Sequence, residues 1–297
     1  MQINRTNLDN LYIGFSGAFS GAFAGYQALS SRLAMLSPSG SRENQYAWLK
    51  QLKGMREWIG DRQLAALESD GYRIANKPFE NTVNVSRFDI EDDSYGVYTP
   101  MFQDLGQTAA ELPDRLIFAL LKAGFATLCY DGQYFIDTDH PRLAADGSAT
   151  TWSNSGGGAG TPWFLLSTKR NIKPLILQER TKAKLTRMDA ADDTNTFMRA
   201  EYLYGVDWRG NAGYGLPQLA FGSKQTLNAA NYEAARAAMT GLLGDYDRPL
   251  NIMPDLLVVP PTLEGAARAL LTAQTLPEGG QNIWFGTAEL LVAPLLA

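Results

Sequence analysis

Residues 87–124 (RFDIEDDSYGVYTPMFQDLGQTAAELPDRLIFALLKAG) limit what this chain can fold into more than any other stretch. A strand ends in the carboxylates Glu91, Asp92 and Asp93, turns, and enters the longest helical pattern in the sequence. Thr99 is placed to cap that helix through its hydroxyl, and Pro100 suits the first helical position, where a missing N–H costs nothing. Apolar residues then recur at Phe102, Leu105, Ala109, Leu112, Leu116, Leu120 and Ala123, steps of three and four that draw one stripe down a helix. Gly124 supplies the stop. At ~1.5 Å per residue the rod is on the order of 35 Å long. Pro113 interrupts it and predicts a kink or two abutting helices. A rod of this length is a beam on which other parts hang.

What hangs on it is ordinary globular material. The 297 residues suffice for one large domain or two modest ones, with 45% hydrophobic and 19% charged residues. A net charge of −5 disfavours wholesale binding of nucleic acid. One cysteine, Cys129, excludes an internal disulfide framework and thiolate-rich zinc sites. One histidine, His140, removes most histidine-based triads and multi-histidine metal sites. No apolar run of about 18 residues is present, so no membrane span is expected. Residues 11–24 (LYIGFSGAFSGAFA) are apolar and small, but the segment ahead of them carries Arg5 and Asp9 and no clear cleavage site follows. They read as an arm that packs on a neighbour, because the Gly and Ser spacing argues against a stable isolated helix.

Ser41 predicts a helix through Leu52, and residues 55–69 a second one weakened at Gly60. Tyr72 and Ile74, then Val83 and Val85, alternate with polar residues across Asn76-Lys77-Pro78, which predicts a projecting two-stranded ribbon. After the rod, Asp131-Gly132 predicts a hairpin on a type I′ turn. Residues 144–160 (AADGSATTWSNSGGGAG) read as a flexible loop. Strands are expected at 163–168, 175–180, 197–204, 256–259 and 288–293. Helices are expected at 232–243, capped by Asn228 or Asn231, and from Pro261 to about 273. There is no internal repeat, and the pattern is α+β.

Few constellations carry chemistry. Asp131, Asp137, Asp139 and His140 are the most metal-like cluster, yet a turn explains the same residues. Glu91, Asp92 and Asp93 suggest an acid/base pair, or the Asp139–His140 pair a hydrolase, but carboxylates ahead of a helix commonly serve its positive end. The run Gly156-Gly157-Gly158-Ala159-Gly160 lacks the Lys-Ser/Thr of a phosphate loop, and no Gly-x-Ser-x-Gly motif occurs. Lys169, Arg170, Lys173, Arg180, Lys182, Lys184 and Arg187 form a basic run. It reads as a solvated strand face, as a surface for acidic loops of a neighbouring subunit, or as charge balanced by Asp189, Asp192 and Asp193. Nucleic acid ranks behind these readings, because few aromatics are interleaved.

Longer blocks point to a family. REWIGDR (56–62), RFDIEDDSYGVY (87–98), LLKAGF (120–125) and YDGQYFIDTDHP (130–141) resemble major head subunits of Mu-like phages and prophages. KPLILQER (173–180), GVDWRGNAGYGLPQLA (205–220) and LLVVPPTLEGAARALL (256–271) continue the match in order over nearly the whole chain. None of these blocks is a catalytic motif.

The resemblance implies a non-enzymatic structural protein with the Hong Kong 97-type capsid fold of tailed phages. Its parts would be an N-terminal arm (1–40), a helical segment (41–68), an extended hairpin loop (69–90) and a peripheral domain (91–211) with its spine helix at about 100–123. An axial domain (212–282) and a C-terminal strand (283–297) would follow. It implies self-association into hexamers and pentamers of a shell around double-stranded DNA, without sequence-specific binding, cofactor, metal or membrane. The subunit would be made in the bacterial host cytoplasm and end in the virion. Because the chain starts directly with the arm, a separate scaffold is expected, together with a portal. Arg56, Trp58, Lys77, Arg87, Asp89, Glu91, Asp92, Lys169, Arg170 and Arg180 are the expected subunit-contact residues. Lys77 falls where crosslinking relatives carry a reactive lysine, but no partner Asn or activating Glu can be assigned, so covalent crosslinking is not expected.

Overall fold

A computed structural model describes residues 2–50, 71–92, 94–275 and 279–297. The second helical stretch expected at 55–69, with Arg56 and Trp58, and Asp93 lie outside the described residues.

The beam is one helix. Its residues, Thr99–Lys122, run through Pro113 without a break. Tyr98, at the end of a 3-10 turn (Ser94–Tyr98), occupies the cap position and makes no side-chain cap bond, so Thr99 is already helical. The helix buries two different faces. Phe102, Leu105 and Gly106 lie inward in the first half, and Asp114, Ile117, Phe118 and Leu121 in the second. The predicted stripe holds at Phe102, Leu105 and the partly buried Ala109, and Leu120 also packs inward, but at ~3.6 residues per turn Leu121 and Phe118 lie about 100–160° round the helix from Phe102. The switch arises because the two halves serve separate cores.

The first of these cores lies between helices and a four-stranded sheet. Helix α1 (Arg5–Gly25), followed by a single turn α2 (Ser30–Leu33), precedes strands β1 (Ala34–Pro38) and β2 (Glu43–Tyr46). Strands β3 (Tyr72–Ala75) and β4 (Lys77–Ser86) lead into the short helix α3 (Arg87–Glu91) and the beam, α4. Two fourteen-residue strands, β9 (Leu175–Met188) and β10 (Glu201–Tyr214), complete the sheet in the order β1-β9-β10-β4. Val83, Val85, Leu185, Tyr202, Tyr204 and Val206 face α1 and α4. Their polar neighbours face solvent, the alternation of a one-sided sheet.

The arm expectation needs correcting. Residues 5–25 form a helix despite their glycines, and it packs on its own chain, burying Leu8, Leu11, Phe15 and Phe19. Phe15 stacks on Phe102 with ring centroids 4.1 Å apart. Tertiary packing of this kind outweighs weak propensity. Arg187 binds Asp9 at 2.6 Å and Arg5 binds Asp189 at 3.2 Å, which fixes the helix start to β9.

The ribbon expectation also fails. β3 pairs antiparallel with β2, and β4 pairs antiparallel with β10. Asn76 alone separates β3 from β4, too short a link for a reversal, so the chain passes from one sheet straight into the other. The buried Asn76 amide donates to Ser39 Oγ (2.8 Å) and the Ser41 carbonyl (2.9 Å) and accepts from Gln178 Nε2 (2.7 Å). Lys77 thus opens a sheet strand rather than marking a tip. The two-stranded ribbon is β2–β3, and residues 43–46, expected to be helical, form one of its strands.

The second half holds a five-stranded sheet. A hairpin of β5 (His140–Leu143) and β6 (Ala149–Trp152) precedes β7 (Ser155–Gly158) and β8 (Trp163–Leu166). After the short helix α5 (Thr194–Arg199) come β11 (Ala220–Lys224), α6 (Ala229–Thr240), β12 (Leu256–Val259), α7 (Glu264–Leu271) and β13 (Glu289–Val292). The sheet order is β13-β12-β8-β11-β7. Phe164, Leu166 and Val258 face the core shared with α4, and Trp163, Leu165, Leu257 and Val259 face α6 and α7. Asn228 caps α6 through the Asn231 N–H at 2.9 Å.

Residues 144–160 are not one loop, since they hold β6 and β7. Their glycines allow close approach: a Cβ on Gly158 would stand 2.5 Å from the Lys224 carbonyl carbon. The Asp131-Gly132 turn is not type I′ either. Only Gly132 has positive φ (87°), and Cys129 N–H closes a three-residue loop onto the Gln133 carbonyl at 2.8 Å.

Candidate assembly surfaces

The expected contact residues separate into those the chain uses internally and those it leaves at the surface. Arg87 Nε binds Glu91 Oε1 at 3.0 Å, one turn apart on α3. Asp89 accepts the Tyr98 hydroxyl hydrogen, and burial together with that bond pushes the phenol up. Asp92 closes α3 and is exposed. Lys77 is exposed at the start of β4.

The basic run is dispersed rather than displayed as one face. Arg170 Nη2 donates to the carbonyls of Leu250 (2.8 Å) and Asn251 (2.6 Å). Lys173 donates to the Ser31 carbonyl. Arg187 is held by Asp9 and Asp189, so Asp189 does balance the run within the chain. Lys169, Lys182 and Lys184 are exposed, and Arg180 is half-buried in β9.

Among the described residues the Asp139–His140 version of the hydrolase reading finds no site. Asp139 is exposed whereas His140 is fully buried, so the two do not face a common cleft.

A surface feature that sequence reasoning missed lies at the end of the β9–β10 hairpin. The sequence reads as a strand from Phe197, but residues 194–199 form α5, with Asp193 as its cap residue, and Ala200 in the left-handed region (φ 55°) turns the chain into β10. The Asp192-Asp193-Thr194 triplet at its start was the available signal. Phe197 and Met198 are 82% and 71% exposed. Arg87 N–H donates to the Ala200 carbonyl at 2.8 Å, which brings the start of α3 against this tip. Phe88 (61%) and Val97 (66%), on α3 and the turn after it, are exposed as well. Arg199 and Asp192, next to the tip in sequence, and Asp92 at the end of α3 are exposed. Apolar residues with both signs of charge around them are the composition of a protein contact, not of a catalytic centre.

The chain matches known proteins along its whole length. Residues 8–296 match the family described as Mu-like prophage major head subunit gpT. The Mu-like prophage FluMu major head subunit of Haemophilus influenzae is 43% identical over 277 residues, spanning 91% of this chain and 90% of that protein. The major capsid protein of Escherichia phage Mu is 38% identical over 305 residues, covering all of both chains. Among solved structures, the procapsid of bacteriophage JBD30 aligns with a TM-score of 0.87 at 44% identity, over 99% of this chain and all of that one. The JBD30 capsid aligns with a TM-score of 0.79 at 33% identity, over 94% of each.

Proposed function

Because the chain belongs to the family of Mu-like prophage major head subunits and forms the head shell, we propose that its copies associate as hexamers and pentamers closing into an icosahedral container for double-stranded DNA. The protein is a structural component of the virion with the capsid fold, and the family is not an enzymatic one. The observation that carries the finer reading is the Phe197–Met198 tip, two adjacent large apolar side chains in solvent on α5 between β9 and β10. A lone subunit gains nothing from such exposure, whereas a closed lattice repeats each modest contact many times.

Arg87 meets the base of that tip through its N–H, and Asp89, Glu91, Asp92, Lys77, Lys169, Arg170 and Arg180 are further contact positions. Arg56 and Trp58 remain contact proposals from sequence alone. Exposed charge at these contacts makes association depend on ionic strength. The net charge of −5 suits a wall that does not clamp its contents, and DNA is enclosed without sequence reading. A scaffold and a portal start assembly in the host cytoplasm. No helix among the described residues is long and apolar enough to cross a membrane.

Electron microscopy of purified assemblies tests this reading. Closed shells with five- and six-coordinated capsomers are expected. Rings or tubes alone would instead support a tail or adaptor role.

A further inference from the structure

The single histidine opens β5 fully buried, its ring stacked on Trp152 with centroids 4.4 Å apart. Nδ1 lies 2.7 Å from Asp131 Oδ2, and Nε2 lies 3.2 Å from Asn154 Oδ1. The Asn154 amide can point only one way. Its Nδ2 donates to the carbonyls of Phe135 (2.9 Å) and Pro217 (3.1 Å), and its Oδ1 accepts from the Asp137 N–H at 2.8 Å. Turned over, it would set an oxygen against two carbonyls and an NH2 group against an N–H. The contact of His140 Nε2 with that oxygen is therefore a hydrogen bond only with Nε2 as donor. A neutral ring with its hydrogen on Nε2 would aim the Nδ1 lone pair at a carboxylate oxygen, two acceptors facing each other out of water.

We infer that His140 is held as an imidazolium, with hydrogen on both ring nitrogens at neutral pH, and that this buried cation locks the 129–133 turn to the β5–β6 hairpin.

The alternative place for the hydrogen, on Asp131, is opposed by the surroundings. Asp131 Oδ1 accepts from the Cys129 thiol at 3.0 Å and from the Gln133 N–H at 3.1 Å. Burial pushes the Asp131 carboxyl up, while hydrogen bonds from His140, Cys129 and the Gln133 N–H pull it down, and the balance lies below the usual range. Burial, and then Asp131, push the Cys129 thiol up, so it stays a donor. The other ionisable groups nearby are occupied. Tyr130 is kept neutral by burial and accepts from Gln218 at 3.1 Å. Asp137 accepts from the Tyr134 and Thr138 N–H groups, at 3.0 and 2.8 Å. Arg142 pairs with Asp247 at 2.5 Å, and Asp245 accepts the Leu143 N–H at 2.9 Å.

The cluster thus holds one cation and one anion, each fully hydrogen-bonded, the condition under which a buried pair is tolerated. Its consequence reaches the surface. Leu128 and Tyr134, joined by an isolated bridge across the turn, are both exposed, so the lock sets where this apolar pair stands.

With one histidine per chain, a preparation labelled with 15N-histidine gives a single ring pattern. Sedimented assemblies or soluble chain at pH 7, dialysed against chelator, should show two protonated ring nitrogens. The Asp131→Asn variant should show one, on Nε2, and Cys129→Ser should keep two. A wild-type ring with one bare nitrogen would overturn the inference, as would an Asp131→Asn ring that keeps both hydrogens. So would stoichiometric zinc found by elemental analysis before dialysis, because a metal ion would then supply the positive charge. The wild-type spectrum decides the matter even where a variant fails to fold. Its failure leaves the shell reading untouched, since no assembly is measured.

Discussion

Asp114 and Tyr26 meet at 2.8 Å, the Tyr26 hydroxyl donating to a carboxylate that lies fully buried in the middle of α4. The same carboxylate accepts the N–H groups of Leu29 (2.8 Å) and Ser30 (2.7 Å). One side chain of the beam therefore ties down the joint between α1 and α2. Burial and the Asp114 bond in turn push the Tyr26 phenol far above its ordinary range.

Asp114→Ala leaves three donors without their acceptor, two of them backbone N–H groups. A loss of about 3 kcal/mol is expected, against about 1 kcal/mol for Tyr26→Phe, which removes one exchangeable bond. Thermal unfolding of unassembled subunits checks the order. Equal losses from the two variants would show that the carboxylate is not the common anchor.

Gly106 sits where α1 crosses α4, and a Cβ there would come 2.3 Å from the Phe19 carbonyl oxygen. Gly106→Ala must push the helices apart, at a cost of about 1–3 kcal/mol. Amide hydrogen exchange should rise across residues 5–25 while the five-stranded sheet stays protected. Unchanged exchange in α1 would contradict the packing described.

Phe197→Ser together with Met198→Ser changes two exposed side chains and leaves the buried Thr196 in place. The circular dichroism spectrum should match wild type, and melting should shift by less than about 0.5 kcal/mol in stability. Particle yield should fall at least tenfold. Full yield from this variant would remove the tip from the contact surface.

The Asp131 carboxyl is held below its unfolded value. A depressed carboxylate contributes stability above the unfolded value of about 3.9 and loses it as pH falls through the folded one. Trp152 stacks on His140 and reports locally. In the wild type its fluorescence should hold steady from neutral pH through the ordinary carboxylate range and change only below it. Asp131→Asn should lack that acid step, and an identical step in both proteins would assign it elsewhere.

Sequence patterning revealed the beam because its helix is amphipathic from the first turn and opens with a proline. It did not reveal that the buried face changes near Asp114, since that follows from which core each half meets. Asn228 and the strands at 163–166 and 256–259 were legible for the same local reasons. Pairing was not: Val83 and Val85 alternate as they should, but nothing local says that their partner is β10 rather than β3. The glycines of 156–158 carry a flexible signature while serving close packing against β11. Among the contact candidates, charge was visible, but its intramolecular use was not. Arg170 spends its guanidinium on two carbonyls 80 and 81 residues away. Phe197 and Met198 were hidden because a strand reading of 197–204 would have turned alternate side chains inward.

Sedimentation velocity on the purified wild-type chain, across a series of salt concentrations, tests most directly whether this fold exists to meet copies of itself. The account predicts a fast-sedimenting shell population whose share changes with ionic strength. A single slow species of monomer mass at every salt and protein concentration would contradict it.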